Sequence, residues 1–159
     1  MSQAISVQFA RVRPVEDADI PCPRPMTAGA TGLDLPAAVP MAIELEPGAF
    51  TRIPTGFAMA LPAHHEAQVR PRSGLAAKHG ITLLNSPGTI DSDYRGEVQV
   101  IVINHGTKPF TIERGMRIAQ MVVAPVSLVS VQEVTQLDAT ERGASGFGST
   151  GTQAEPQRR

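Results

Sequence analysis

Apolar and polar residues alternate with a period of two along most of this chain, the pattern of half-buried strands. Val7, Phe9 and Val12 alternate loosely with Gln8 and Arg11 and predict a strand over 5–13. Gly32-Leu33-Asp34-Leu35 is a short strand begun at glycine. Ile43 and Leu45 alternate with Glu44 and Glu46, ahead of a Pro47-Gly48 turn. Phe50, Ile53, Phe57, Met59 and Leu61 mark a longer strand, interrupted at Pro54 and Gly56 in a way that predicts a bulge. Further strands are expected over 66–72, 81–84, 98–103, 110–112 and 118–123, with a last one over 126–134. A short helix over 74–79 is the one departure, and Gly80 follows where a helix-ending left-handed residue would sit. Pro14, Pro21, Pro23 and Pro25 rule out a long helix near the N-terminus. Short strands at steady spacing indicate an all-β sandwich or barrel.

The pattern stops near Thr140. Residues 143–151 are almost all Gly, Ala, Ser and Thr around Phe147, a composition that predicts a mobile C-terminal arm. The expected organisation is a β-domain over 1–138 and a glycine-rich arm over 139–159. With 159 residues, 42 % of them hydrophobic, the chain suffices for one domain with a real core. Only 4 % is aromatic and Trp is absent, so that core must consist of Val, Ile, Leu, Met and Ala.

The formal net charge of −1, with no basic run, argues against a nucleic-acid-binding surface and leaves room for a local anion pocket. Cys22 is the one cysteine, which excludes an internal disulfide or a thiolate zinc cluster and reads as an incidental thiol. Residues 1–13 lack the charged start and apolar core of a secretory signal. No apolar stretch approaches the roughly 18 residues of a membrane span. The expected compartment is the cytoplasm, with no membrane partner.

Four segments carry candidate chemistry. Gly88 through Gly96 holds Asp91, Asp93, Arg95 and the chain's single tyrosine, Tyr94. Turns need Gly, Asn and Asp for their backbone angles, but not a Tyr and an Arg. The segment reads either as the floor of a small-molecule site with Asp91 as its reactive group, or as an ordinary hairpin with a polar tip. At Arg72-Ser73-Gly74 a helix start offers free N–H groups, a hydroxyl and a guanidinium to an anion; an ordinary Ser N-cap is the plainer alternative. Gln120 lies in an apolar strand, where its amide needs partners, structural or ligand. Arg142 through Gly151 is a glycine-rich segment able to wrap phosphates, with Phe147 available for stacking. By contrast, the neighbours His64 and His65 would face opposite sides of a strand, His79 and His105 read as surface residues, and Asp17 and Asp19 as solvated loop carboxylates.

Taken in order, Gly32–Leu35, Pro71–Ala76, Asn85–Gly96, Gly115–Gln120 and Arg142–Gly151 resemble the motifs of the homotrimeric dUTPase (deoxyuridine triphosphate nucleotidohydrolase) family. Each segment is weak alone; five in register across nearly the whole chain are specific. The resemblance implies a jelly-roll β protomer in a trimer with shared active sites, hydrolysing dUTP to dUMP and pyrophosphate with Mg²⁺. It implies that Asp91 activates the water attacking the α-phosphorus and that Asp34 holds Mg²⁺ through a water. Arg72, Ser73, Gly74 and Gln120 would bind phosphates. Asn85 and the backbone of Thr89 and Ile90 would read uracil, and Tyr94 would exclude a 2′-hydroxyl. From the arm, Arg142 would bind phosphate, Ser149 to Gly151 would reach the terminal phosphate, Gly148 would contact the substrate and Phe147 would stack on the base. Ser145 stands where the family usually has glycine, at a cost of about 1 kcal/mol if that residue requires positive φ. A deoxycytidine triphosphate deaminase shares the implied fold, but such enzymes show Arg-Ser-Ser where this chain has Arg72-Ser73-Gly74, and use a glutamate at the base. A non-catalytic nucleotide-sensing trimer is the alternative from another class; it leaves Asp91 and the arm without a task.

Overall fold

A computed structural model of the chain describes residues 5–146. Two compact units are present, Met1–Leu128 and Val129–Arg159. The first contains every described strand and helix.

Three antiparallel sheets make up this unit. β1 (Gln8–Arg11), β4 (Phe50–Ala60), β8 (Glu97–Asn104) and β6 (Ile81–Leu83) form one, in that spatial order. The second runs β2 (Leu33–Pro36), β10 (Arg117–Pro125), β5 (His65–Arg70) and β7 (Gly88–Ile90). β3 (Ile43–Leu45) and β9 (Phe110–Ile112) pair as a two-stranded ribbon. This is an all-β, jelly-roll architecture with one short helix, α1 (Ser73–His79). Among the described residues no helix is long and apolar enough to cross a membrane.

Period-two alternation produces this arrangement because it gives each strand one apolar face. On β8, Val98, Val100 and Val102 point into the core while Gln99 is exposed. Ile53 and Met59 of β4, Leu35 of β2, Ile81 of β6, and Ile118 and Met121 of β10 join the same cluster. As composition required, this core is aliphatic. Phe57 instead lies in a small satellite with Ile20 and Ala38, its ring edge-on to Phe9 at 6.2 Å.

The expected bulge in β4 exists. Its register against β8 shifts between Pro54 and Ala58, and Gly56 there has φ +81°, the left-handed region that glycine enters freely. Gly80 also takes its expected place, ending α1 with φ 69° and donating its N–H to the carbonyls of Ala76 and Leu75.

Three expectations need correction. The strand expected over 126–134 is absent: β10 ends at Pro125, and the Val126 N–H bonded to the His64 carbonyl at 2.9 Å is followed by no strand. Leu128, Val129 and Val131 are largely exposed. Alternation supplies an apolar face, but a strand also needs a neighbour for its backbone groups. Asp17 is not solvated. The proline-rich loop folds back so that Ile20 is buried, and Asp17 beside it is only 2 % exposed, paired with Arg13 at 2.8 Å and Arg114 at 3.1 Å. A carboxylate taken out of water requires such partners. Asp19 is exposed as expected, although it too meets Arg114, at 2.6 Å. Finally, Gly88–Gly96 is more than a hairpin tip. β6 and β8 do pair, but the connection between them gives β7 to the opposite sheet, where Thr89 sits across from Gln68 of β5.

Candidate functional site

β7 and its flanking turns place the candidate residues by simple alternation. Gly88 and Ile90 are buried, so Thr89 and Asp91 face outward. Asn85 folds over Gly88, where an added Cβ would come within 3.2 Å of its Nδ2. A turn closed by the Tyr94 N–H on the Asp91 carbonyl, at 3.2 Å, carries the chain back toward β8. Arg95 faces its own loop, donating to the carbonyls of Ser92 (2.7 Å) and Tyr94 (2.8 Å).

These residues wall a cavity of about 300 Å³. Asn85, Thr89, Ile90, Asp91 and Tyr94 line one side; Arg52 of β4 and Glu97, Gln99 and Ile101 of β8 line the other. Asn85, Thr89, Ile90, Asp91 and Tyr94 therefore meet in one place, while Asp93 and Arg95 do not line it. Arg52, Glu97 and Gln99 were missed. The signal for the latter two was their alternation with the buried valines of β8, which puts them on the outward face beside the loop. The Tyr94 hydroxyl donates to the Glu97 carbonyl at 3.1 Å.

A second polar cluster lies on the β2–β10–β5 sheet. Gln120, in the middle of β10, is flanked in register by Asp34 of β2 and Arg70 of β5. Its Nε2 donates to the Pro71 carbonyl at 2.9 Å. Gly32 leaves room for that amide, since a Cβ there would stand 2.6 Å from Gln120 Oε1. The Asp34 carboxylate accepts from Arg117 at 2.9 Å and pairs with Arg72 at 3.5 Å. Arg72 also donates to the Arg117 carbonyl at 2.9 Å. Arg72, rather than Ser73, occupies the N-cap of α1, with no side-chain capping bond and no acidic residue in the first turn. Ser73 and Gly74 begin the helix, at positions whose N–H groups have no intrahelical acceptor.

The cavity that holds Asp91 is lined by none of Arg72, Ser73, Gly74 or Gln120. Within one chain the hairpin residues and the Arg72–Gly74 and Gln120 residues form two separate clusters. Among the described residues no group of three or more His, Cys, Asp or Glu side chains is placed to hold a metal ion, and Asp34 is the lone carboxylate of its cluster.

In the second unit, Arg142 donates to the Ser145 carbonyl at 3.0 Å. Gly143 is its left-handed residue, with φ 52°, and Ser145 is outside that region. Phe147, Gly148 and Ser149 lie outside the described residues.

Electrostatic perturbation concentrates away from the cavity. The Arg114 guanidinium holds the Asp19 carboxyl below its ordinary range, chiefly by direct hydrogen bonding, and Arg114 is itself raised. Arg13 is raised by its hydrogen bonds to Glu97.

Fold and site together define an antiparallel β protein whose loops wall a small polar cavity, with a separate cluster of polar and charged residues across β2, β10 and β5. The dUTPase family model matches residues 18–151. The chain is 60 % identical over 127 residues to a deoxyuridine 5′-triphosphate nucleotidohydrolase of Sinorhizobium medicae, covering 79 % of each chain. It is 59 % identical over 128 residues to that of Rhizobium meliloti, covering 79 % of this chain and 80 % of the relative. The chain belongs to the dUTPase family. Its fold matches a dUTPase of Staphylococcus bacteriophage 80alpha solved with dUpNHpp, at TM-score 0.81 and 22 % identity over 92 % of this chain and 99 % of that one. It also matches a dUTPase of phage phi11 of S. aureus, described with a structural Mg(II) ion, at TM-score 0.73 and 18 % identity over 84 % and 99 %.

Proposed function

We propose that this chain is a dUTP diphosphatase, hydrolysing dUTP to dUMP and pyrophosphate and so limiting uracil in DNA while supplying dUMP. The observation that carries this reading is the cavity beside β7. An outward carboxylate, Asp91, shares about 300 Å³ with an amide, exposed strand backbone and one aromatic ring. A pyrimidine nucleoside needs such a set: peptide groups around Thr89 and Ile90, with Asn85, hydrogen-bond the base edge, and the Tyr94 ring packs on the deoxyribose and leaves no space for a 2′-hydroxyl. Asp91 orients a water toward the α-phosphorus and takes its proton as the bond to phosphorus forms.

Arg72, the N–H groups of Ser73 and Gly74, and Gln120 bind the phosphate chain. Their separation from the Asp91 cavity within one protomer supports a homotrimer in which neighbouring chains complete each site. The arm over 139–159 then closes the site, with Arg142 and Ser149 on phosphates, Gly148 beside them and Phe147 on the base. Mg²⁺ fits the donor set: a lone carboxylate, Asp34, suits an ion held through water and substrate phosphates rather than by a protein cage. Held there by Asp34 through water, the ion would supply charge neutralisation for the phosphate chain.

The test is pyrophosphate release from dUTP, UTP, dTTP and dCTP in parallel, with ammonia release followed for dCTP. Release from dUTP alone is expected. Equal release from UTP removes the sugar gate, and ammonia from dCTP replaces the reaction.

A further inference from the structure

A chain of contacts enters the site from outside the family-matched segment. Arg13, just beyond β1, lies ahead of residue 18, where that match begins. Its guanidinium donates twice to the Glu97 carboxylate, Nη1 to Oε2 at 3.2 Å and Nη2 to Oε1 at 2.8 Å. Oε1 also accepts the Gly56 N–H at 2.9 Å, from the left-handed turn of the β4 bulge. From its other flank Arg13 meets the buried Asp17 at 2.8 Å. Glu97 is thus held from two sides, by Arg13 and by the Gly56 N–H, with its side chain 13 % exposed. Its backbone carbonyl is the acceptor of the Tyr94 hydroxyl, at 3.1 Å. Gly96, between them, lets the ring approach the backbone, because a Cβ there would collide with the Tyr94 ring.

We propose that Arg13 is a positioning residue for Tyr94: acting through Glu97, it fixes the ring that walls the sugar subsite, so selection against ribonucleotides depends on the N-terminal segment. This inference rests on the reading of Tyr94 as that wall. A forked guanidinium–carboxylate pair fixes orientation as well as distance, which a single ammonium does not. The Tyr94 hydroxyl hangs on the one residue so fixed. Freeing Glu97 lets its carbonyl and the ring drift together, and a displacement of about 1 Å is enough to change discrimination at a reacting site.

Tyr94 is the sole tyrosine in a chain without Trp, so the near-ultraviolet circular dichroism of the tyrosine band reports this ring. The experiment compares the wild type with R13Q, R13K, Y94F, the R13Q/Y94F double variant and, as a control on the network's far arm, D19N. It measures kcat/KM for dUTP and UTP, the tyrosine band, and Tm. R13Q and Y94F are each expected to lower the dUTP-to-UTP selectivity ratio roughly tenfold, with the double variant no worse than either single one. R13Q should also alter the tyrosine band, R13K should fall between R13Q and wild type, and D19N should leave both readouts unchanged. A lowered Tm with wild-type selectivity and band would make Arg13 merely structural and overturn the proposal, as would additive losses in the double variant. If R13Q does not fold, R13K decides by the same criteria. If the wild type releases no pyrophosphate from dUTP, the proposed function fails separately. The band still decides the brace, which an unchanged R13Q signal overturns.

Discussion

Asp91 is an exposed carboxylate at the rim of its cavity, and none of the described side-chain hydrogen bonds or ion pairs ties it elsewhere. That leaves it available to orient a water. Asp91→Asn keeps the size and loses the base, so kcat for dUTP should fall about a thousandfold. Binding of the nucleotide, measured by calorimetry, should stay within about threefold, since the amide loses no contact to the substrate. Turnover retained in this variant would take the base role from Asp91. Asp19 has a different use. Its carboxyl is held below the ordinary range by Arg114, so its stabilising contribution is present above the unfolded-state pKa and is lost as pH falls through the lower, folded value. In Asp19→Asn the acid limb of Tm against pH should flatten below about pH 4, with no change at neutral pH beyond a small loss of the exposed pair. At this scale the sequence was most legible where chemistry is contiguous: Asn85, Thr89, Asp91 and Tyr94 occupy ten positions and meet in one cavity. The outward place of Glu97 was signalled by alternation, but its pairing with Arg13 was not, because that partner is 84 residues away in the chain.

Elements were read well wherever alternation ended at a turn residue, as at Gly56, Gly80 and the Pro47-Gly48 turn. The misreadings have physical causes. Alternation over 126–134 promised a strand without a partner, and the proline-rich loop hid a buried carboxylate because nothing local signals the two arginines that close over it. Asn104, at the end of β8, shows how much one polar residue can organise. It is fully buried, donates to the carbonyls of Leu45 and Lys108 at 2.8 Å each, and accepts the Gly106 N–H at 2.8 Å. It therefore ties β3, the β8–β9 turn and β8 together. Asn104→Ala strands those groups and should cost about 3 kcal/mol, read from the urea midpoint at unchanged m. A loss under about 1 kcal/mol would mean that water replaces the amide.

For the whole molecule, the first unit contains the complete core, and the arm belongs to the second. Ending the chain at Glu141 should leave Tm within about 2 °C of wild type. The same truncation should lower kcat for dUTP roughly a hundredfold, because an open site admits water and orients the phosphates poorly. Unchanged kcat would remove the arm from the mechanism. The fold class and the order of its motifs were visible in sequence. The division of the candidate residues between two clusters was not, because it depends on tertiary packing: β7 shares a sheet with β10, yet the cavity beside it is closed by β4 and β8 of the other sheet.

The crossing of β7 to the second sheet has a consequence for how the cavity wall can vary. Because Thr89 is paired with Gln68 while the flanking β6 and β8 pair with each other, the loop is sewn at both hems. Inserting one residue ahead of β7 would reverse its parity, turning Thr89 inward and Ile90 out. The wall's chemistry is thus written as odd and even positions. Point substitutions can tune it, whereas changes in length erase it.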